Sequence, residues 1–113
     1  MKTRNRDSPV VYICSPYSGD VNRNTEMTRR YSRYAIDQGF IPITPPLWLP
    51  GILSEETERD LAINIDLRLL ELTQELWICG DVISKGMEQE IAHARELRLP
   101  VRWIKEGQIN VCN

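Results

Sequence analysis

The chain has 113 residues and a net charge of −2, with 42% hydrophobic and 27% charged residues. That length supports one domain with a single core and no need of staples. The charge balance excludes the basic footprint of a protein that grips a nucleic acid polymer, and no stretch approaches the ~20 apolar residues of a membrane span.

The N-terminal "MKTRNRDSP" is polar and has no apolar signal core. Residues 1–7 read as a flexible arm ahead of one domain over 8–113. "PVVYICS" (9–15) is a short apolar, β-branched run, the signature of a buried strand. "PYSGDVNRN" (16–24) is turn-rich and leads into a helix over 22–38. There Met27, Tyr31, Tyr34, Ala35 and Gln38 follow helical spacing, and Gly39 is a natural stop. Arg29, Arg30 and Arg33 belong to its solvated face. "FIPITP" (40–45) predicts a second strand. "PLWLPGIL" (46–53), with two prolines, predicts an apolar loop without strand or helix.

Ser54 before "EETERD" predicts a helix start, and the helix continues to about Thr73. "ELWICG" (75–80) predicts a third strand. A helix follows over 85–98 and is broken by Leu99 and Pro100. "VRWIK" (101–105) predicts a fourth strand, and "GQINVCN" a further edge strand. The order β-α-β-α-β-α-β means a parallel sheet covered on both faces. With right-handed crossovers it is an α/β chain, a small doubly wound, Rossmann- or flavodoxin-like three-layer fold with four to five strands. Ligands of such folds bind beyond the carboxyl ends of the strands. Loops 15–20, 44–53 and 80–86 lie there.

The three cysteines, Cys14, Cys79 and Cys112, form no close pair and have no neighbouring histidine. Neither a disulfide framework nor a metal site is expected. Cys14 and Cys79 fall in strand-like runs and read as buried, reduced thiols of a cytoplasmic protein.

Four local features break the pattern. At about 100° per residue, Leu61, Ile65, Leu69 and Leu72 form one stripe of the 54–73 helix, and Ile63, Leu67 and Leu70 a second. Asp60, Asn64, Arg68 and Glu71 share the wet arc. Asp66 falls inside the apolar arc, where an unpartnered carboxylate is costly. It either makes a structural hydrogen bond or faces a ligand. Glu90 likewise sits beside the apolar stripe of Met87, Ile91 and Ala94 in "SKGMEQEIAHA". Ser84 and Gly86 open that helix, as a plain cap or as an anion cradle. Ser15, Ser18 and Gly19 occupy the first ligand-side loop, with Tyr12 in the strand before it, as a core aromatic or a site residue. "SPYSGD" is neither a GxGxxG fingerprint nor a P-loop, so no dinucleotide or triphosphate site is expected. Two carboxylates and a tyrosine near an anion site suit chemistry at a sugar's anomeric carbon.

These residues resemble the nucleoside 2-deoxyribosyltransferase-like superfamily, over about residues 10 to 104. "VYICSPYSG" places Tyr12 where that family has a tyrosine near the ligand. "IDLRLL" places Asp66 where its Asp-Leu pair holds sugar hydroxyls. "EIAHA" and "LPV" place Glu90 at its nucleophilic glutamate. Position 84 is serine, as in the members that act on deoxynucleoside 5′-monophosphates, whereas the first loop lacks the arginine those members carry. The chain looks most like the family's small bacterial and phage members. The resemblance implies an N-glycosidase or deoxyribosyltransferase acting through Glu90, Asp66 and Tyr12. Ser15, Ser18, Gly19, Ser84 and Gly86 would bind substrate or phosphate. The implied partner is a small-molecule nucleotide or nucleoside. No metal or organic cofactor is implied, and a homo-oligomer is. The competing expectation is a module that binds a nucleotide or nucleotide-derived signal without turning it over. A third is an interaction protein that associates through the 54–73 helix.

Overall fold

A computed structural model describes residues 7–110. Most of the expected arm, and Cys112, lie outside the described residues. Four parallel strands form one sheet: β1 (Val10–Cys14), β2 (Ile41–Ile43), β3 (Glu75–Cys79) and β4 (Val101–Ile104). Their spatial order is β2-β1-β3-β4. In register, Tyr12 lies beside Ile43 on one side and Leu76 on the other. The helices are α1 (Val21–Asp37), α2 (Arg59–Leu70), α3 (Lys85–Glu96) and a short α4 (Glu106–Asn110).

Beyond Glu75 at the start of β3, the two central strands carry buried, largely apolar side chains because both of their faces are covered. Alternate side chains feed two cores. Val11, Ile13, Trp77, Cys79 and Ile104 pack with Tyr31 and Ala35 of α1. Tyr12, Cys14, Leu76 and Ile78 pack with Leu70 of α2 and with Met87, Ile91 and Ala94 of α3. Cys14 and Cys79 are thus buried thiols in different cores. Trp77 anchors the first core. Its ring meets Phe40 edge-on at 4.9 Å, and its Nε1 donates to Glu75 at 2.7 Å. Truncating such a buried aromatic costs about 3–5 kcal/mol.

The solvated faces fall where spacing puts them. Arg30 pairs with Glu26 and Arg33 with Asp37 on the exposed side of α1. Asp60, Asn64, Arg68 and Glu71 are all exposed. The stripe of Leu61, Ile65, Leu69 and Leu72 is covered unevenly: Leu61, and Leu72 just past the end of α2, remain 47% and 59% exposed.

Three expectations need correction. The "PLWLPG" loop contains two 3-10 turns, Pro45–Leu47 and Leu49–Gly51. Each has proline in its first positions, where the missing N–H has no partner to lose. The helix placed at 54–73 begins at Arg59 and ends at Leu70. Ser54 does cap, but only a closed turn: its Oγ accepts from Glu56 and Thr57, and Glu58 Oε1 accepts from the Ser54 N–H. The tail starts as a helix, α4, instead of an edge strand. Asp81 Oδ1 takes the Glu106 N–H at 3.0 Å, Glu106 pairs with Arg23 at 2.6 Å, and Ile109 packs on the Trp77 core. Those tertiary contacts override the strand-like composition of the tail.

Candidate active site

β1 and β3 are neighbours, and the chain leaves β1 toward β2 but β3 toward β4, in opposite directions along the sheet. Ligand crevices form at such switch points. Here a cavity of about 510 Å³ opens beyond the strand ends. Ser15, Tyr17 and Ser18 contribute the wall after β1, and Pro45 and Leu49 the wall after β2. α2 presents Arg59, Ala62, Ile63 and Asp66, an i, i+3, i+4, i+7 face. α3 contributes Ser84, Gly86 and Glu90.

Glu90 is one turn into α3, and Tyr12 reaches it from β1. Tyr12 Oη donates to Glu90 Oε2 at 2.7 Å. Tyr12 is itself only 1% exposed and stands behind the cavity wall. Cys14 is on the same face of β1, two residues on, and its thiol donates to the Met87 carbonyl at 3.8 Å. Burial, and then the Glu90 charge, hold the Tyr12 hydroxyl and the Cys14 thiol well above their ordinary pKa values. Both therefore stay protonated and serve as donors.

Asp66 reaches the same pocket from α2. Its Oδ1 is buried without a hydrogen-bond partner. Burial raises its pKa from 3.8 to about 8, helped by the nearby Glu90 charge. Burial also raises Glu90, whereas the hydrogen bond from Tyr12 pulls it down. Two carboxyl groups this close do not both ionise at neutral pH. The Tyr12 hydroxyl donates to Glu90 and no such donor serves Asp66 Oδ1, so the shared proton rests on Asp66 and the negative charge on Glu90.

The remaining predicted residues divide. Ser84 is the N-cap of α3 and accepts from the Met87 N–H at 3.4 Å. It also lines the cavity, with its hydroxyl hydrogen free of that bond. Gly86 lines it too, and a Cβ there would meet nothing within 4 Å. Ser15 is buried, and its Oγ lies 2.7 Å from Thr28 Oγ1. Thr28 gives its own hydrogen to the Asn24 carbonyl, so Ser15 is the donor of that pair. Ser18 lines the cavity, and its carbonyl accepts from Asn24 Nδ2 at 3.0 Å. Gly19 does not line it. With φ of +97°, it makes the turn into α1.

Sequence reasoning left Arg59, Tyr17, Glu55 and Gln89 unassigned, and all four line the cavity. For Arg59 the signal was available, because it lies seven residues before Asp66 and shares its helix face. Trp48 does not line the cavity. His93 is half-buried and lies 3.0 Å from Glu71. Among the described residues, no group of three or more His, Cys, Asp and Glu side chains is placed to hold a metal ion. No described helix is long and apolar enough to cross a membrane.

The fold, a flavodoxin-like parallel sheet with helices on both faces, is that of the nucleoside 2-deoxyribosyltransferases. By sequence the chain belongs to a family described as a domain of unknown function, DUF7768, whose model matches residues 9–104. No curated protein matches the chain. Among solved structures, it is similar to the 2-deoxyribosyltransferase of the psychrotolerant bacterium Bacillus psychrosaccharolyticus. That match has a TM-score of 0.68 at 19% identity, over 85% of this chain and 72% of the other. The 2-desoxiribosyltransferase of Leishmania mexicana matches with a TM-score of 0.63 at 13% identity, over 86% of this chain and 64% of the other.

Proposed function

We propose that the protein cleaves or exchanges the N-glycosidic bond of a nucleotide or nucleoside, with Glu90 as nucleophile. The observation that carries this reading is the carboxylate pair at the cavity. Glu90 is held by the Tyr12 hydroxyl at 2.7 Å, beside Asp66, whose carboxyl keeps its proton to about pH 8. Likeness of fold to two 2-deoxyribosyltransferases supports it.

Glu90 Oε attacks the anomeric carbon as the C–N bond breaks. The bonding pair leaves with the base, which takes up a proton, and a glycosyl ester forms on Glu90. Tyr12 is a positioning residue that acts through Glu90. Asp66, whose Oδ1 lacks a partner, accepts a hydrogen bond from a sugar hydroxyl. Ser84, Gly86 and Ser18 line the pocket and would hold a phosphate. Water or a second base then attacks the same carbon and releases Glu90. No step draws on a metal or an organic cofactor.

The test is product analysis with a panel of deoxy- and ribonucleoside 5′-monophosphates and nucleosides, beside Glu90→Gln. Free base released by the wild type, and reduced at least a thousandfold in the variant, is the expected result. Undiminished release by the variant would sink the mechanism. No release from either, with a nucleotide raising the melting temperature of both, would make this a binding module.

A further inference from the structure

The polarity of the cavity carries an inference that rests on the glycosidic reading of the same site. Helices after parallel strands run back along the sheet, so α2 and α3 both begin at the ligand end. The first residue of α2 is Arg59 and the first of α3 is Lys85, and both line the cavity. Neither is hydrogen-bonded or ion-paired to any described residue. A cation at a helix N-terminus opposes the helix dipole. Asp60 and Glu88 in the same first turns offset part of that cost, but neither lines the cavity, where a ligand's negative charge would meet the two cations. Glu55 also lines the cavity; it is ion-paired to neither cation, and its charge acts on Asp66.

The carboxylates lie deeper. Asp66 is seven residues beyond Arg59 on the same face, about 10 Å down the helix axis. Glu90 is four residues beyond Gly86, about 6 Å down α3. A ligand seated here has its hydroxyl-bearing, electrophilic end on the floor and its anionic end at the mouth. The reach of an arginine side chain spans the remaining gap to a phosphate one ester bond from the sugar.

We infer that Arg59, assisted by Lys85, binds the phosphate of a nucleoside 5′-monophosphate at the mouth of this cavity and sets the preference for phosphorylated over unphosphorylated ligand. Arg59 suits the role because its guanidinium engages two phosphate oxygens at once. Lys85 adds a point charge beside the open backbone of Gly86.

The experiment is calorimetric titration of the full chain with the four deoxynucleoside 5′-monophosphates and their nucleosides. Wild type, Arg59→Gln, Arg59→Lys and Lys85→Gln are compared. The wild type should favour a monophosphate over its nucleoside at least tenfold. Arg59→Gln should cut that ratio about tenfold or more, Lys85→Gln less, and Arg59→Lys should restore part of it. Raising ionic strength should weaken monophosphate binding alone. A ratio unchanged in Arg59→Gln, or a wild type that binds both ligands alike or neither, overturns the inference. Base release by a wild type indifferent to phosphate would leave the glycosidic reading standing. Phosphate preference without any release would sink that reading and keep this one.

Discussion

Tyr12 and Glu90 lie 78 positions apart, and their hydrogen bond sets which carboxylate carries charge. That bond lowers the pKa of Glu90 against the effect of burial. Tyr12→Phe should therefore raise the Glu90 pKa, shift the acid limb of the pH–rate profile upward, and lower kcat about 10–100-fold, the loss of one bond to a charged group. A profile that keeps its acid limb would show that Tyr12 only fills space. Asp66 makes a different prediction. Its pKa is about 8 in the folded protein against an ordinary 3.8. Between those pH values the folded state holds a proton that the unfolded state has lost. Stability from this group therefore falls as pH rises from about 4 to 8. Asp66→Asn removes that penalty, so it should gain roughly 1–2 kcal/mol at pH 9 and little at pH 4, after allowance for partial exposure. Thermal unfolding at both values checks it, and a variant less stable at pH 9 would contradict the assignment. Asp66 was legible because an acid inside an apolar arc is an anomaly in one helix. The Tyr12–Glu90 bond was not, because it depends on how strand and helix meet. Arg59 escaped notice because the helix was expected to start at Ser54, and a cation inside a helix reads as ordinary surface.

At the scale of elements, Ser84 has two duties. It caps α3, and it lines the cavity. Ser84→Ala should cost about 1 kcal/mol of stability through the lost cap. Ser84→Asp would keep a capping oxygen but place a negative charge at the rim. If the rim holds phosphate, the aspartate variant should be as stable as wild type and bind monophosphates more weakly. Equal monophosphate binding by the two proteins, measured by titration, would limit Ser84 to capping. The long elements were legible because their cores repeat: Tyr31 and Ala35 on α1, and Met87, Ile91 and Ala94 on α3, keep helical spacing. The segment 46–58 was not. There Ser54 supplies a genuine capping signal that closes only one turn, and two prolines start 3-10 turns that periodicity does not register. The tail failed for a third reason, since Asp81, Arg23 and the Trp77 core decide its conformation from a distance.

At the scale of the molecule, the site follows from topology. Apolar runs alternating with helices call for a parallel sheet, and the order β2-β1-β3-β4 puts the crevice beside β1. The helices that flank it line it with the part-buried Asp66 and Glu90 and with the exposed Arg59 and Lys85. The central claim is that Glu90 carries the sugar during turnover. Its most direct test is peptide mass mapping of protein quenched while releasing base from its preferred substrate. The account predicts a glycosyl adduct on the peptide that contains Glu90, absent from Glu90→Gln. Steady release of base with that peptide unmodified throughout would contradict it.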